Sequence, residues 1–196
     1  MNIEQRNLGT KKIEVEFRSM FNKKEYGRIK EFLENNAVDL GEDNKDVHFF
    51  IMSDKLLKVV DNVSKNNAKV VLKLNKIGKG SDFEELEIPI ERKHATDFTK
   101  VFSSLDFTDN IMRSFQKRQN YLYKDVEIAL KYSDVWGYHL ELEIVITDAK
   151  DKELAEKKIK EVANELNIKL MTDQELVEFT KKAEEEHMPG TPNLRH

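Results

Sequence analysis

The chain has 196 residues, 36% of them charged and 39% hydrophobic, and its 33 Lys and Arg stand against 37 Asp and Glu for a formal net charge of −4. That length suits one domain, or one domain with a helical appendage, and the near balance of charge gives no footprint for nucleic acid, so an anion site must be a local concentration of cations. The lack of cysteine excludes disulfide frameworks, thiolate zinc sites and cysteine nucleophiles, and no run approaches the roughly 18 apolar residues of a spanning helix, so a cytoplasmic address with no membrane partner is expected.

In chain order, the alternation from Lys11 to Met20 predicts a strand with Ile13, Val15 and Phe17 on one face and Lys12, Glu14, Glu16 and Arg18 on the other. Asn22 is placed to cap a helix running to Asn35, with Tyr26, Ile29, Phe32 and Leu33 at helical spacing. Val47 to Met52, Leu56 to Asp61 and Lys69 to Asn75 read as strands, with Ser64 to Asn67 and Ile77 to Ser81 as hairpin connections. Glu84 to Ile90 follows as a strand and Thr96 to Ser104 as a short helix; Lys117 to Leu130 and Tyr138 to Thr147 supply the remaining strands. Asp151 to Leu166 is an amphipathic cover helix, and Thr172 with Glu175 opens a further helix to about Glu186 with the chemistry of a capping box. The class expected is α+β, mostly antiparallel. Residues 1–170 form the main domain, 171–188 a helix packed on it or extending from it, and 189–196 a disordered tail.

The strand faces opposite the apolar ones are densely charged. An antiparallel sheet with one face in water shows this alternation, and for a single strand that explanation suffices. The sorting of signs argues for more: carboxylates stand two apart in three strands, as Glu14/Glu16, Glu85/Glu87 and Glu141/Glu143, although like charges side by side destabilise a sheet. If the sheet closes with its charged faces inward, these acids share a lumen with Arg18, Lys58, Lys73 and Arg118. Buried in such number they must pair, stay hydrated or hold ligands. A polyanion together with a hard divalent cation, Mg²⁺ or Mn²⁺, satisfies both signs.

The order of these residues resembles the CYTH superfamily, the triphosphate tunnel metalloenzymes. Glu14-Val15-Glu16-Phe17-Arg18 is similar to its N-terminal Glu-x-Glu-x-Lys signature. Leu57-Lys58, Lys73, Glu85-x-Glu87, Lys117-Arg118-x-x-Tyr121 and Gly137-x-x-x-Glu141-x-Glu143 follow in the family's order, so the resemblance spans Lys11 to Glu143. It implies a closed eight-stranded antiparallel barrel with covering helices. It further implies that Glu14, Glu16, Glu141 and Glu143 hold one or two divalent metals and that Arg18, Lys58, Lys73 and Arg118 grip a triphosphate, with Arg18 and Glu141 the catalytic pair. Glu85 and Glu87 are lumen acids without an assigned role.

Three positions depart from the family pattern. Arg18 replaces a Lys, exchanging a point charge for a planar fork. Val60 stands where a second strand cation is common, and Lys131 where an Asp often assists the metal; Lys131 can supply the bond to phosphate that Val60 cannot make. His139 shares the parity of Glu141 and is read as hydrogen-bonded at a tunnel mouth; Trp136, Tyr121 and Tyr123 are read as packing. Removing Glu141 from its like-charged cluster is expected to leave the fold intact or improved.

Four readings stand in order. The first is metal-dependent hydrolysis of inorganic triphosphate or a small organic or nucleoside triphosphate, by a monomer or homodimer. The second is an adenylyl cyclase of class IV type, ranked lower because no adenine pocket is identifiable. The third is a non-catalytic module that binds triphosphate or polyphosphate, and the fourth an α+β domain with its charged faces in water.

Overall fold

The computed structural model describes residues 13–74, 82–83, 85–105 and 110–186, with 82, 83, 110 and 184 described by backbone alone. The predicted connection at Ile77 to Ser81, the strand residues Lys11, Lys12, Asn75 and Glu84, and the tail from Pro189 lie outside these residues.

Eight long strands make the frame: β1 (Ile13–Met20), β3 (Lys45–Ile51), β4 (Leu56–Asn62), β5 (Asn67–Lys73), β7 (Glu85–Ile90), β8 (Asn110–Tyr123), β9 (Val126–Ser133) and β10 (Gly137–Ile146). Two short strands accompany them, β2 (Val38–Glu42) and β6 (Asp82–Phe83). Every pairing is antiparallel, in the order β6-β1-β10-β9-β8-β3-β4-β5-β7, with β2 on the far end of β8. The two ends of that order, β6 and β7, are separated by Glu84 alone. The sheet therefore curls back on itself into an α+β tunnel.

Four helices are present among the described residues: α1 (Lys23–Asn36), α2 (Ala95–Ser103), α3 (Lys152–Glu165) and α4 (Asp173–Glu186). Asn22 caps α1, its Oδ1 accepting from Glu25 N. Thr172 and Glu175 form the reciprocal pair at the start of α4: Glu175 N donates to Thr172 Oγ1 and Thr172 N to Glu175 Oε2. No helix among the described residues is long and apolar enough to cross a membrane.

Strand alternation sends the apolar residues outward and the charged ones inward. On one side Val15, Ile128, Leu130, Leu140 and Leu142 are buried under Ile29 and Leu33 of α1 and Ile159, Val162 and Ala163 of α3. On the other, Phe50, Val59, Ala68 and Val70 are buried under Ala95 of α2, with Phe102 against them. Each fully buried aliphatic side chain contributes about 1.5–3 kcal/mol, and this outer shell is what can offset the cost of a charged interior.

Several elements differ from the sequence expectation: β6 is not among the predicted strands, and β8 begins at Asn110, well before the predicted Lys117. The run from Lys117 to Leu130 is two strands, turned at Lys124-Asp125, where φ is 50° and 58°. Two successive positive values describe the tight hairpin turn that matches strand twist, usually signalled by Asn-Gly. Here the turn is tied to α3: Lys124 Nζ and Tyr123 Oη donate to Glu165, and Lys158 Nζ to Asp125. The short β2 is also absent from the sequence expectation, because its Val-Asp-Leu-Gly-Glu is exposed almost throughout and bulged at Gly41, φ 89°.

The last segment is tied to β1. Met171 N donates to Arg18 O, and Ser19 Oγ donates to Lys169 O. From there α4 packs through Phe179 and Ala183 against Ile51, Met112, Val135 and Trp136.

Candidate functional site

Period-two alternation gives each strand one lumen face, and the curl converges these faces on one cavity of about 600 Å³. Glu14, Glu16 and Arg18 come from β1, Lys58 from β4, Lys73 from β5, and Glu85 and Glu87 from β7. Arg118 comes from β8, Lys131 from β9, and Glu141 and Glu143 from β10. All line this cavity, together with His139 and Trp136.

The acids divide into two groups. Glu14, Glu16 and Glu143 each bring a carboxylate oxygen within 4.8 Å of the other two. Burial, and then the neighbouring Glu14 and Glu16, push the Glu143 carboxyl up to about 8. Glu14 is raised as well, by burial first and then by Glu85. Buried Glu16 Oε1 accepts no hydrogen bond and meets Arg18 Nη2 as an ion pair. Three crowded carboxylates, two of them with raised pKa values, offer the kind of oxygen donors that a hard divalent cation takes. The residues present fit such an ion.

Glu141 stands apart from them. Arg18 Nε donates to its Oε1 at 3.0 Å and Lys131 Nζ to its Oε2 at 2.5 Å, while Arg118 Nη1 lies 3.7 Å from Oε2. Burial alone would raise its pKa, yet Lys131, Arg18 and Arg118 together hold it well below the carboxylate range. The expectation of a like-charged surrounding for Glu141 is therefore corrected: its partners are cations. Sequence order places Glu141 two residues from Glu143 but cannot show that Lys131 crosses from β9 to reach it.

The cations are held by the remaining acids. Lys73 Nζ lies 2.5 Å from Glu85 Oε1 and 4.0 Å from Glu16 Oε2, and Lys58 Nζ 3.7 Å from Glu85 Oε1. Burial disfavours the charge on Lys73, but Glu16 and Glu85 more than compensate and its pKa is raised. Lys58 and Lys131 are lowered to about 8 by burial, and for Lys58 the nearby Lys73 adds to the effect. Glu87 lies farther out, paired with Lys69.

Several lining residues carry no signal in the motifs. Asp43, in the link before β3, is buried among Lys45, Lys65, Arg118 and Asn62, and Lys45 and Lys69 share the lumen parity. Lys45 stands two residues before Val47, so strand alternation was the available signal. Val60 is packed with Val47 and Val71 into an apolar patch of the lumen wall. His139 is buried, its Nδ1 3.0 Å from Gly137 O, and burial followed by Lys131 pushes it down to about 4. Trp136 packs against His139 and Phe179 and has the Arg18 guanidinium over its ring at 5.6 Å.

No family model matches the sequence, and no curated protein matches it. Solved structures do. PH1012 from Pyrococcus horikoshii is 25% identical, with 80% of this chain and 91% of that one aligned at a TM-score of 0.64. An adenylate cyclase candidate from Vibrio parahaemolyticus is 12% identical over 88% of this chain and 99% of its own, TM-score 0.61. HpAC1 from Hippeastrum, an adenylyl cyclase candidate described as having a dominant triphosphatase activity, is 14% identical over 81% and 89%, TM-score 0.59. Over most of its length the chain has the fold of these cyclase-like and triphosphatase structures.

Proposed function

We propose that the tunnel binds a triphosphate-bearing small molecule together with a divalent cation and hydrolyses it. The observation that carries this reading is the division of one cavity between a three-carboxylate cluster, Glu14, Glu16 and Glu143, and the cations Arg18, Lys58, Lys73, Arg118 and Lys131. A carboxylate cluster without opposing cations would suit a metal alone. Cations without the cluster would suit any anion. Side by side they suit a polyphosphate that brings its own divalent ion.

A cation at the cluster, Mg²⁺ or Mn²⁺, supplies Lewis acidity toward phosphoryl oxygens. Arg18, Lys73 and Lys131 are fixed by Glu16, Glu85 and Glu141 before substrate arrives. They therefore neutralise charge on the equatorial oxygens without reorganising. Lys58 and Lys131, both pushed down to about 8 by burial, are the lining ammonium groups suited to exchange a proton with a phosphoryl oxygen at Nζ. Hydrolysis ranks above cyclisation because Trp136, the lining ring best suited to stack on a base, is already packed with Phe179, His139 and the Arg18 guanidinium.

A binding module without turnover is the second reading, favoured by the commitment of Glu141 to three cations. Incubation with tripolyphosphate, ATP or thiamine triphosphate, each with Mg²⁺, Mn²⁺ or EDTA, separates the readings. Metal-dependent orthophosphate release is expected. Cyclic AMP with pyrophosphate would make the protein a cyclase, and binding without any product would make it a carrier.

A further inference from the structure

Trp136 stands outside the strands, in the turn that joins β9 to β10, so strand parity assigns it no face. It nevertheless lines the cavity, and it is held from several directions. Its backbone N donates to the buried Ser133 Oγ at 3.0 Å. Its ring packs against Phe179 at 5.1 Å and His139 at 5.6 Å between centroids, and His139 is itself pinned by Nδ1 at 3.0 Å from Gly137 O. An indole fixed in this way can orient whatever rests on it.

What rests on it is Arg18. The guanidinium carbon lies over the indole at 5.6 Å from the ring centroid, inside the roughly 6 Å reach of a cation–π contact. Two carboxylates hold the same guanidinium by its donors: Nε donates to Glu141 Oε1 at 3.0 Å, and Nη2 meets Glu16 Oε1. The N–H bonds of an arginine lie in the plane of its fork, so contacts with two carboxylates fix where the group sits and leave it able to tilt about the line through them. A third contact, with the ring, opposes that tilt and calls on no further carboxylate. An ammonium has no plane to orient and gains nothing of the kind.

We infer that Trp136 is a positioning residue for Arg18: the indole holds the guanidinium at one tilt, so that this cation meets a phosphoryl oxygen already oriented. This rests on the proposed function and adds to it a residue that lies outside the charged strand faces. Trp136 need not touch the ligand to act in this way. Arg18 shares Glu141 with Lys131 and Arg118, and Glu16 with Lys73, so a guanidinium that tilts also disturbs the acceptors of three neighbouring cations. Charge placed in advance stabilises a phosphoryl group without reorganising, and a displacement of about 1 Å can cost on the order of a hundredfold. Positive charge at residue 18 is therefore not sufficient: with arginine there, binding depends on the indole, and with lysine there it does not.

A double-mutant cycle tests this, with imidotriphosphate titrated calorimetrically in Mn²⁺ into the parent, Trp136→Leu, Arg18→Lys and the double variant. Trp136→Leu should weaken binding about tenfold in the parent and by less than about twofold beside Arg18→Lys. Trp136→Phe, which keeps an aromatic face, should recover most of the loss. Unchanged binding in Trp136→Leu, or a loss of the same size in both backgrounds, would overturn the inference, because a ring that only packs the wall is missed equally with either cation. Emission of Trp136, the single tryptophan of the chain, gives a second measurement that leaves the indole in place: Arg18→Gln should shift it, and a spectrum identical to the parent's would overturn the pairing even if Trp136→Leu does not fold. Failure of the parent to bind imidotriphosphate would overturn the proposed function and this inference with it.

Discussion

Arg18 and Glu141 are register partners on adjacent strands and meet on the lumen face, Nε to Oε1 at 3.0 Å. Because Lys131 and Arg118 converge on the same carboxylate, Glu141 is the shared counter-charge of three cations. Removing one member of a buried ionic group leaves the rest uncompensated. Glu141→Gln should therefore lower stability by about 2 kcal/mol in urea denaturation. An unchanged or raised midpoint would show that water screens these cations without it.

Glu143 should behave in the opposite way. It sits with Glu14 and Glu16, so Glu143→Gln relieves repulsion in metal-free protein and should raise its melting temperature, by the equivalent of about 1 kcal/mol. The same change should weaken Mn²⁺ binding at least about tenfold, read calorimetrically or from the spin resonance of free Mn²⁺. If Mn²⁺ affinity survives Glu143→Gln but collapses in Glu141→Gln, the two acids have been assigned the wrong way round.

Lys73 is one of the innermost cations, held between Glu85 and Glu16. Lys73→Ala should weaken binding of a non-hydrolysable triphosphate by about tenfold to a hundredfold, mostly through faster dissociation. Lys65→Ala at the exposed rim should instead slow association and soften its salt dependence. Stopped-flow traces at two ionic strengths distinguish the two effects, and identical behaviour of both variants would remove the depth difference between them.

The pH dependence of stability should show Asp43. Burial opposes its charge, but hydrogen bonds and ion pairs with Lys45, Asn62 and Lys65 hold the carboxyl well below its ordinary value of 3.8. A depressed carboxylate contributes stability that is complete above the unfolded value and is lost as pH falls through the folded one. The loss should begin near pH 4 and amount to roughly 2 kcal/mol at full protonation. Asp43→Asn should be less stable at pH 7 and show a shallower decline below pH 4. Parallel curves for variant and parent would exclude Asp43 as the source.

Much of the tunnel was legible because one rule, alternation along a strand, governs both which residues face the core and which face the lumen. Glu14, Glu16, Arg18, Lys58, Lys73 and Glu85 could be placed by parity alone. What parity cannot give is rotation around the bore. It does not say that Lys131 reaches Glu141, or that Glu143 rather than Glu141 completes the carboxylate group, since both follow from the stagger of β9 and β10. The Lys124-Asp125 turn is hidden in the sequence because packing on α3, not a glycine, holds its positive φ values. Lys45 and Asp43 fall outside the motifs, although they line the same wall.

The hydrogen bonds that tie residues 169–171 to Arg18 and Ser19 also bear on self-association. Among the described residues β1 meets β6 at Glu14 and Val15, and farther along, at Arg18 and Ser19, it is bonded by the chain's own residues 169 and 171. An uncovered strand edge is a template for another molecule's backbone. A protein shortened before Lys169 would lose the guard on that edge along with the helix behind Trp136, and would become prone to pairing with its own copies. The stretch from Lys169 to Met171 thus occupies backbone beside Arg18 and Ser19 that another strand could otherwise approach.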